Sequence, residues 1–384
     1  MTPAARVQAA IEVLDRIGDG TPAEQALTNW ARGARYAGSG DRAAVRDHVF
    51  DVLRTRRSSA ARGGGAGGRA LMRGRMLLQG VDPETIFTGE GHAPAPLGAD
   101  ELVAGADPDA VDLMDLPDWL IPLFEASLGA DARPVADALR HRAPVFLRVN
   151  TLKADLDKAQ AALSDDGIAT QPHDLSPTAL EVLENPRRIA GSAAFRDGLV
   201  ELQDAASQAV VDLLPLRRDA RVLDYCAGGG GKALAMAART GGQVFAHDAD
   251  PGRMRDLPAR ATRADAQVVP VPSPTGRYDL VLCDAPCSGS GAWRRAPEGK
   301  WALTPDRLQD LCATQAEILD TAQGFVAPGG VLAYATCSVL RDENHAQIAA
   351  FLDRTPGWQL AGERQFLPSD GGDGFYLACL KATG

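Results

Sequence analysis

No run of apolar residues in this chain approaches the length of about 18 needed to cross a bilayer, so no membrane span is expected. The opening stretch, MTPAARVQAAIEVLDRI, lacks the charged start, apolar middle and cleavage site of a secretory leader. It reads instead as an amphipathic helix, and a cytoplasmic location is expected. The six cysteines form no CxxC pair and no histidine cluster stands beside them. A zinc or other metal site is therefore not expected, and free thiols are the default. Positive charge is missing over a long stretch: between Arg75 and Arg133 there is no Lys or Arg, only acids. Residues 1–80, by contrast, carry 13 Arg against 7 acids, a balance of +6. With a net charge of -10, the chain is not a broad electrostatic binder of polyanions. The asymmetry permits such a partner at the N-terminal end, and Arg-rich solvated helix faces would give the same count.

What is present is an ordinary globular composition, 45% apolar and 23% charged over 384 residues, long enough for two or three domains. Helical spacing covers 3–17, 23–36, 42–57 and 69–79, with the loop RGGGAGGRA before the last. Residues 1–80 are thus expected to be an all-helical domain, 81–115 an acidic linker, and 116–200 a small α+β unit containing the strand PVFLRVNTLK. From 201 to 384 short apolar strands alternate with helices, the pattern of a doubly wound, mostly parallel sheet. Ligands of such sheets bind at the carboxyl ends of the strands. Cys226 and the following glycines, Asp248, Asp284–Cys287 and Thr336–Ser338 all fall there.

VLDYCAGGGGKALAMAA reads as strand, glycine loop and helix. It is not a P-loop, because Ala233 follows the lysine where a magnesium-holding hydroxyl is needed. Asp248 ends the next strand, where a ribose hydroxyl would be held. The loop therefore suits an adenosine-containing ligand, either NAD or S-adenosylmethionine.

Asp284 follows the apolar run LVLC and precedes Ala-Pro-Cys287; a second cysteine, Cys337, stands in YATCSVLRDEN. Arg294, Arg295 and Lys300, with Trp293 and Trp301, form a basic and aromatic cluster suited to a nucleotide. A thiolate adds readily to an electron-poor ring carbon. Addition at carbon 6 of a cytosine makes carbon 5 nucleophilic enough to take a methyl group. The carbon-5 proton and the first thiolate must then leave, which gives a second thiol a task. Cys283, Cys312 and Cys379 fall in strand or helix patterns and read as buried small hydrophobes.

These stretches resemble the bacterial ribosomal RNA cytosine-C5 methyltransferases of the RsmB/Sun type, within the Nop2/Sun family. DAPCSGSGAWRRAPEGKW is similar to that family's motif IV, YATCSVLRDEN to motif VI, and RVLDYCAGGGGKALAMAA to motif I. The resemblance implies a Rossmann-like class I methyltransferase domain, preceded by a NusB-like helical domain and a small RNA-contacting α+β unit. It implies Cys337 as nucleophile, Cys287 as the residue of product release and Asp284 as the orienter of the base. S-adenosylmethionine would be held by Cys226, Ala227, Gly228, Gly229, Gly230, Gly231, Lys232, Asp248 and Asp284. The expected partner is RNA, small-subunit ribosomal RNA above all, with no metal and no membrane; a monomer is expected. DNA cytosine methylation with attack by Cys287, and an RNA-binding protein without catalysis, are the competing readings. Two departures stand out: CAGGGGK replaces the usual CAAPGGK, putting Gly229 where the family has proline. VVPVPSPTGRYD places Pro272 and Ser273 where the family usually carries an acid.

Overall fold

A computed structural model describes residues 1–383. The chain divides into two compact units: Met1–Glu125 with Gly129–Arg142 and Trp293–Leu303, and Ala126–Leu128 with Ala143–Ala292 and Thr304–Gly384.

The first unit is helical. It contains α1 (Pro3–Gly18), α2 (Ala23–Gly33), α3 (Ser39–Arg54), α4 (Arg56–Gly63), α5 (Gly68–Leu78), the short α6 (Ala99–Val103), most of α7 (Ile121–Leu128) and α8 (Ala132–Leu139). Thr2 caps α1 by accepting from the Ala5 amide at 3.2 Å, and Pro3 supplies the first-turn φ. Its apolar stripe, Val7, Ile11 and Leu14 among others, packs with Trp30, Val45, Val49 and Leu71 into the unit's core. The α4–α5 crossing needs two glycines. A Cβ on Gly63 would stand 1.9 Å from the Ala70 carbonyl oxygen, and one on Gly74 would stand 1.9 Å from that of Ser59.

Residues 81–115 are not a linker, a correction to the expectation from composition. Phe87 and Met114 are buried in this unit, and Asp115 accepts from Ser58 N (3.0 Å), Ser58 Oγ (2.8 Å) and Arg140 Nε (2.8 Å). The charge asymmetry explains why. Arg57 pairs with Asp112 and Asp118, Arg62 with Asp107, and Arg69 with Glu101, whose carboxyl the Arg69 guanidinium lowers to about 2. Much of the positive excess of residues 1–80 thus meets the acids that follow it.

The segment Trp293–Leu303, including α14 (Gly299–Ala302), also belongs to this unit. It serves helix ends. Lys300 Nζ donates to the last α3 carbonyl, of Arg54, at 2.8 Å, and Trp301 Nε1 to Leu53 O at 2.7 Å. Arg54 Nε donates back to Arg294 O at 2.8 Å, while Glu298 accepts from the first amide of α2, of Ala23, at 2.7 Å. These are the groups a helix leaves unpaired at its ends.

The second unit holds two sheets. The smaller has β1 (Val145–Val149), β2 (Thr170–Pro172), β3 (Ala179–Val182) and β4 (Val200–Leu202) in the order β2-β3-β1-β4, all antiparallel, with α9 (Leu156–Asp165) and α10 (Ala193–Arg196). The larger contains β5 (Val222–Asp224), β6 (Val244–Ala246), β7 (Val268–Pro270), β8 (Tyr278–Asp284), β9 (Val326–Thr336), β10 (Trp358–Phe366) and β11 (Phe375–Ala382). Their order is β10-β11-β9-β8-β5-β6-β7. α11 (Ala205–Asp212), α12 (Gly231–Thr240), α13 (Leu257–Ala264), α15 (Pro305–Ala322) and α16 (His345–Arg354) accompany it. β5 through β9 pair in parallel, and β11 is antiparallel to both its neighbours. This is the Rossmann-like α/β sheet that the alternation of strands and helices predicts. The chain leaves β5 in one direction to β6 and β7 and in the other to β8 and β9. The strand order therefore reverses there, and a crevice opens at the carboxyl ends.

Candidate active site

The carboxyl ends of β5, β6, β8 and β9 bring together Asp224, the glycine loop, Asp248, Asp284 and Cys337. The loop is tight: Gly228 and Gly230 have φ of 52° and 79°, and Gly230 N donates to Ala227 O at 2.7 Å. Asp248 fastens it from β6. Its Oδ2 accepts from Gly228 N at 2.8 Å and from Arg253 at 3.2 Å, and its Oδ1 from Asp250 N at 2.9 Å. Arg260, on α13, donates to the Gly229 carbonyl. From the small sheet, Arg148 donates to Gln203 Oε1 and to the Gly231 carbonyl, each at 2.6 Å. Burial pulls its guanidinium down to about 10, and its Nε has no partner. Sequence spacing points to none of these three arginines: Arg148 and Arg260 reach the loop from elements remote in the chain, and Arg253 reaches it only through Asp248.

Lys232, in the first turn of α12, is buried and reaches Asp284 Oδ2 at 2.7 Å. Burial works to lower its ammonium, but the carboxylate of Asp284 outweighs it, with Cys337 and Asp224 adding, and the net shift is upward. Asp224 ends β5 with 1% exposure, and neither of its oxygens has a partner. Burial, then the charge of Asp284, raises it to about 8. A buried carboxyl of this kind directly before the glycine loop, with only the charge of Lys232 and the Ala233 amide acting to lower it, is a site element that sequence reading passed over. Its only signal was its place directly before the loop.

The two turn cysteines meet. Cys287 Sγ and Cys337 Sγ are 3.4 Å apart. The hydrogen bond to Cys337, then burial, raises the Cys287 thiol well above its ordinary value. The pair is partly buried, and either sulfur can donate to the other. The other cysteines differ. Cys283 is fully buried and its thiol is raised by burial, as is that of Cys226; Cys312 and Cys379 are both raised to about 11, again first by burial.

Of the basic cluster, Arg295 is exposed, but Arg294 and Lys300 are buried, with 4% and 1% exposure. Both are fixtures of the helical unit rather than charges offered to phosphate, a correction to the expectation from the motif's composition. Burial lowers Lys300 to about 7. Its unfolded value is near 10.5, so between pH 7 and 10.5 the unfolded chain binds the extra proton and stability rises with pH. Wild type should gain stability over Lys300→Met as pH goes from 7 to 10, with a slope of up to about one proton. Urea unfolding of both across that range measures it, and a flat difference would contradict it. Among the described residues no group of three or more His, Cys, Asp or Glu is placed to hold a metal, and no helix is long and apolar enough to cross a membrane.

Comparisons with known proteins bear on the family and the fold. Residues 211–381 match the family described as 16S rRNA methyltransferase RsmB/F, and residues 116–190 match the RsmF/B-like ferredoxin-like domain. Ribosomal RNA small subunit methyltransferase B of Vibrio cholerae is 37% identical over 282 residues, 69% of this chain and 65% of that protein. The protein of that name from Citrobacter koseri is 36% identical over 283 residues, 69% and 66%. The chain thus spans just under two thirds of the length of these relatives. Among solved structures, PH0851 covers 99% of both chains with a TM-score of 0.77 at 23% identity. A methyltransferase homologue from Pyrococcus horikoshii covers 69% of this chain and 98% of its own with a TM-score of 0.60 at 24% identity. These two likenesses concern the fold.

Proposed function

We propose, for a chain that belongs to the RsmB/F methyltransferase family, that it methylates carbon 5 of a cytosine in RNA, small-subunit ribosomal RNA by preference, through a covalent adduct with Cys337. The observation that carries the reading is the 3.4 Å approach of Cys287 and Cys337 beside the Lys232–Asp284 pair. The Cys287 thiol is raised well above its ordinary value, and Cys337 lies near the buried ammonium of Lys232. Such an arrangement suits addition followed by elimination, and a lone structural thiol would not need it. The printed names of the relatives support ribosomal RNA as the substrate class.

The crevice suits S-adenosylmethionine. The orphaned carboxyl of Asp224 would complete its bonding on a ligand ammonium, and a cation there would return it to the ionised form. Cys226 to Lys232 supply the loop, whose backbone amides and α12 N-terminus face the crevice, and Asp248 and Asp284 border it. When bound, this group supplies the electrophilic methyl. The chain's residues do the rest. Cys337 forms a bond to carbon 6, and Asp284, held by Lys232, orients the base. After transfer the carbon-5 proton passes to solvent, its electron pair re-forms the carbon-5–carbon-6 double bond and expels the Cys337 thiolate, and Cys287, 3.4 Å away, assists by hydrogen-bonding to the departing sulfur. The base must leave its stack to reach the strand ends. Nucleoside mass spectrometry of unmodified small-subunit RNA after incubation should show 5-methylcytidine. Methylation at another atom, or none with cofactor bound, would end this reading.

A further inference from the structure

Beneath the two cysteines lies a carboxylate that the chemistry above does not use. Glu343 has 0% exposure and accepts four hydrogen bonds. Its Oε1 takes Ser288 N at 2.7 Å and Gln315 Nε2 at 3.1 Å; its Oε2 takes Ser288 Oγ and Ser338 Oγ, each at 2.5 Å. Ser288 follows Cys287 and Ser338 follows Cys337. The same side chain therefore ties the residue after each cysteine, across 55 positions on one side and 5 on the other. Tyr334 Oη fixes its backbone through Glu343 O at 2.7 Å. Among the described residues no cation is paired with it, and a carboxylate buried without one is expensive to keep. A neutral glutamine could join the same two turns without that cost, so the charge itself calls for an explanation.

We propose that Glu343 is a positioning residue for both cysteine turns, a buried carboxylate that braces them and by its charge holds the proton on Cys287. The inference rests on the two-cysteine reading and deepens it: it says why Cys337, and not Cys287, is the thiol that attacks. The titratable groups around Cys287 are Cys337, Glu343 and Tyr334, with Cys312 beside Glu343 and Lys232 near Cys337. Of these only Lys232 is a cation, and it lies on the Cys337 side. The hydrogen bond to Cys337 and burial are the larger causes that raise Cys287, and the negative charge of Glu343 adds to them. Lys232 is itself paired with Asp284 at 2.7 Å, so the polarisation of the thiol pair comes from Glu343, the anion on the Cys287 side.

The test needs no RNA. The full-length protein is alkylated with iodoacetamide from pH 6 to 10, and each cysteine is followed by peptide mass spectrometry. In wild type Cys337 should react at lower pH than Cys287; Cys287 reacting first would overturn the proposal without any variant. In Glu343→Gln, Cys287 should react about tenfold faster at pH 8, and its profile should move to lower pH. Glu343→Asp, which keeps the charge, should leave it slow. Buried Cys283 is the internal control. An unchanged Cys287 rate in Glu343→Gln would overturn the proposal, and so would a rise of Cys283 in step with Cys287, which means general loosening. With RNA, Glu343→Gln should lose about 10²-fold in kcat, while the KM for S-adenosylmethionine stays within about twofold. A purely structural defect would move both. Because alkylation reports on the thiols alone, it separates a failure of this inference from a failure of the cytosine-5 reading, which nucleoside analysis decides.

Discussion

Cys337→Ala is expected to lose methyl transfer by at least about 10⁴-fold, the scale of removing a covalent nucleophile, while still binding S-adenosylmethionine with near wild-type affinity. Cys337 lies at the end of β9, and the glycine loop follows β5, so the cofactor contacts do not depend on it. Cys287→Ala should behave differently. The Cys337 thiol and its neighbour Lys232 remain, so attack and transfer proceed, and release is what slows. The asymmetry between the two variants distinguishes this account from one in which Cys287 attacks, as the DNA-enzyme alternative requires. Single-turnover transfer measured for both variants decides: equal and complete loss in each would mean that the two thiols act together in addition.

Gly230→Ala should be the most damaging change of a single methyl group in the cofactor loop. Its φ of 79° lies in the left-handed region, which costs an L-residue roughly 1–2 kcal/mol. The new Cβ would also stand 2.2 Å from Leu257 Cδ1, and Leu257 is buried with 0% exposure in the core, so it cannot swing away. Overpacking of this kind costs about 1–3 kcal/mol more. A lowered melting temperature and at least about tenfold weaker cofactor binding are expected by calorimetry. Gly229→Pro is the control. Nothing but the mobile end of Arg260 approaches that position, at 3.0 Å, and the family's usual residue should be accepted there with wild-type binding. Equal damage from both changes would contradict this account of the loop.

The sequence pattern disclosed the parallel sheet, the loop and the cysteines because each is carried by local signals: alternation of strand and helix, runs of glycine, and residues beside turns. β10 escaped notice because it is an edge strand exposed over most of its length and has no buried alternation to betray it. α4 was hidden in a stretch rich in Arg and Ser, and forms because its glycine-bearing face packs on α5. Misreadings concentrate where a charged side chain found a distant partner. Lys300 reads as a phosphate ligand until Arg54 O, 246 positions away, is seen to hold it. The acids of 81–115 read as a linker until the arginines of α4 and α5 are seen to need them. Glu343 and Asp224 stayed silent for the opposite reason: a single acid in a motif carries no sign of whether it will be buried, bonded or orphaned.

The central claim is that RNA is held covalently through Cys337 and let go with the help of Cys287. Its most direct test is a denaturing gel of Cys287→Ala, incubated with S-adenosylmethionine and unmodified small-subunit ribosomal RNA. The account predicts a slow-migrating protein–RNA band that disappears when Cys337→Ala is added to the same chain. A band that survives the loss of Cys337 would contradict it and send the search to another nucleophile.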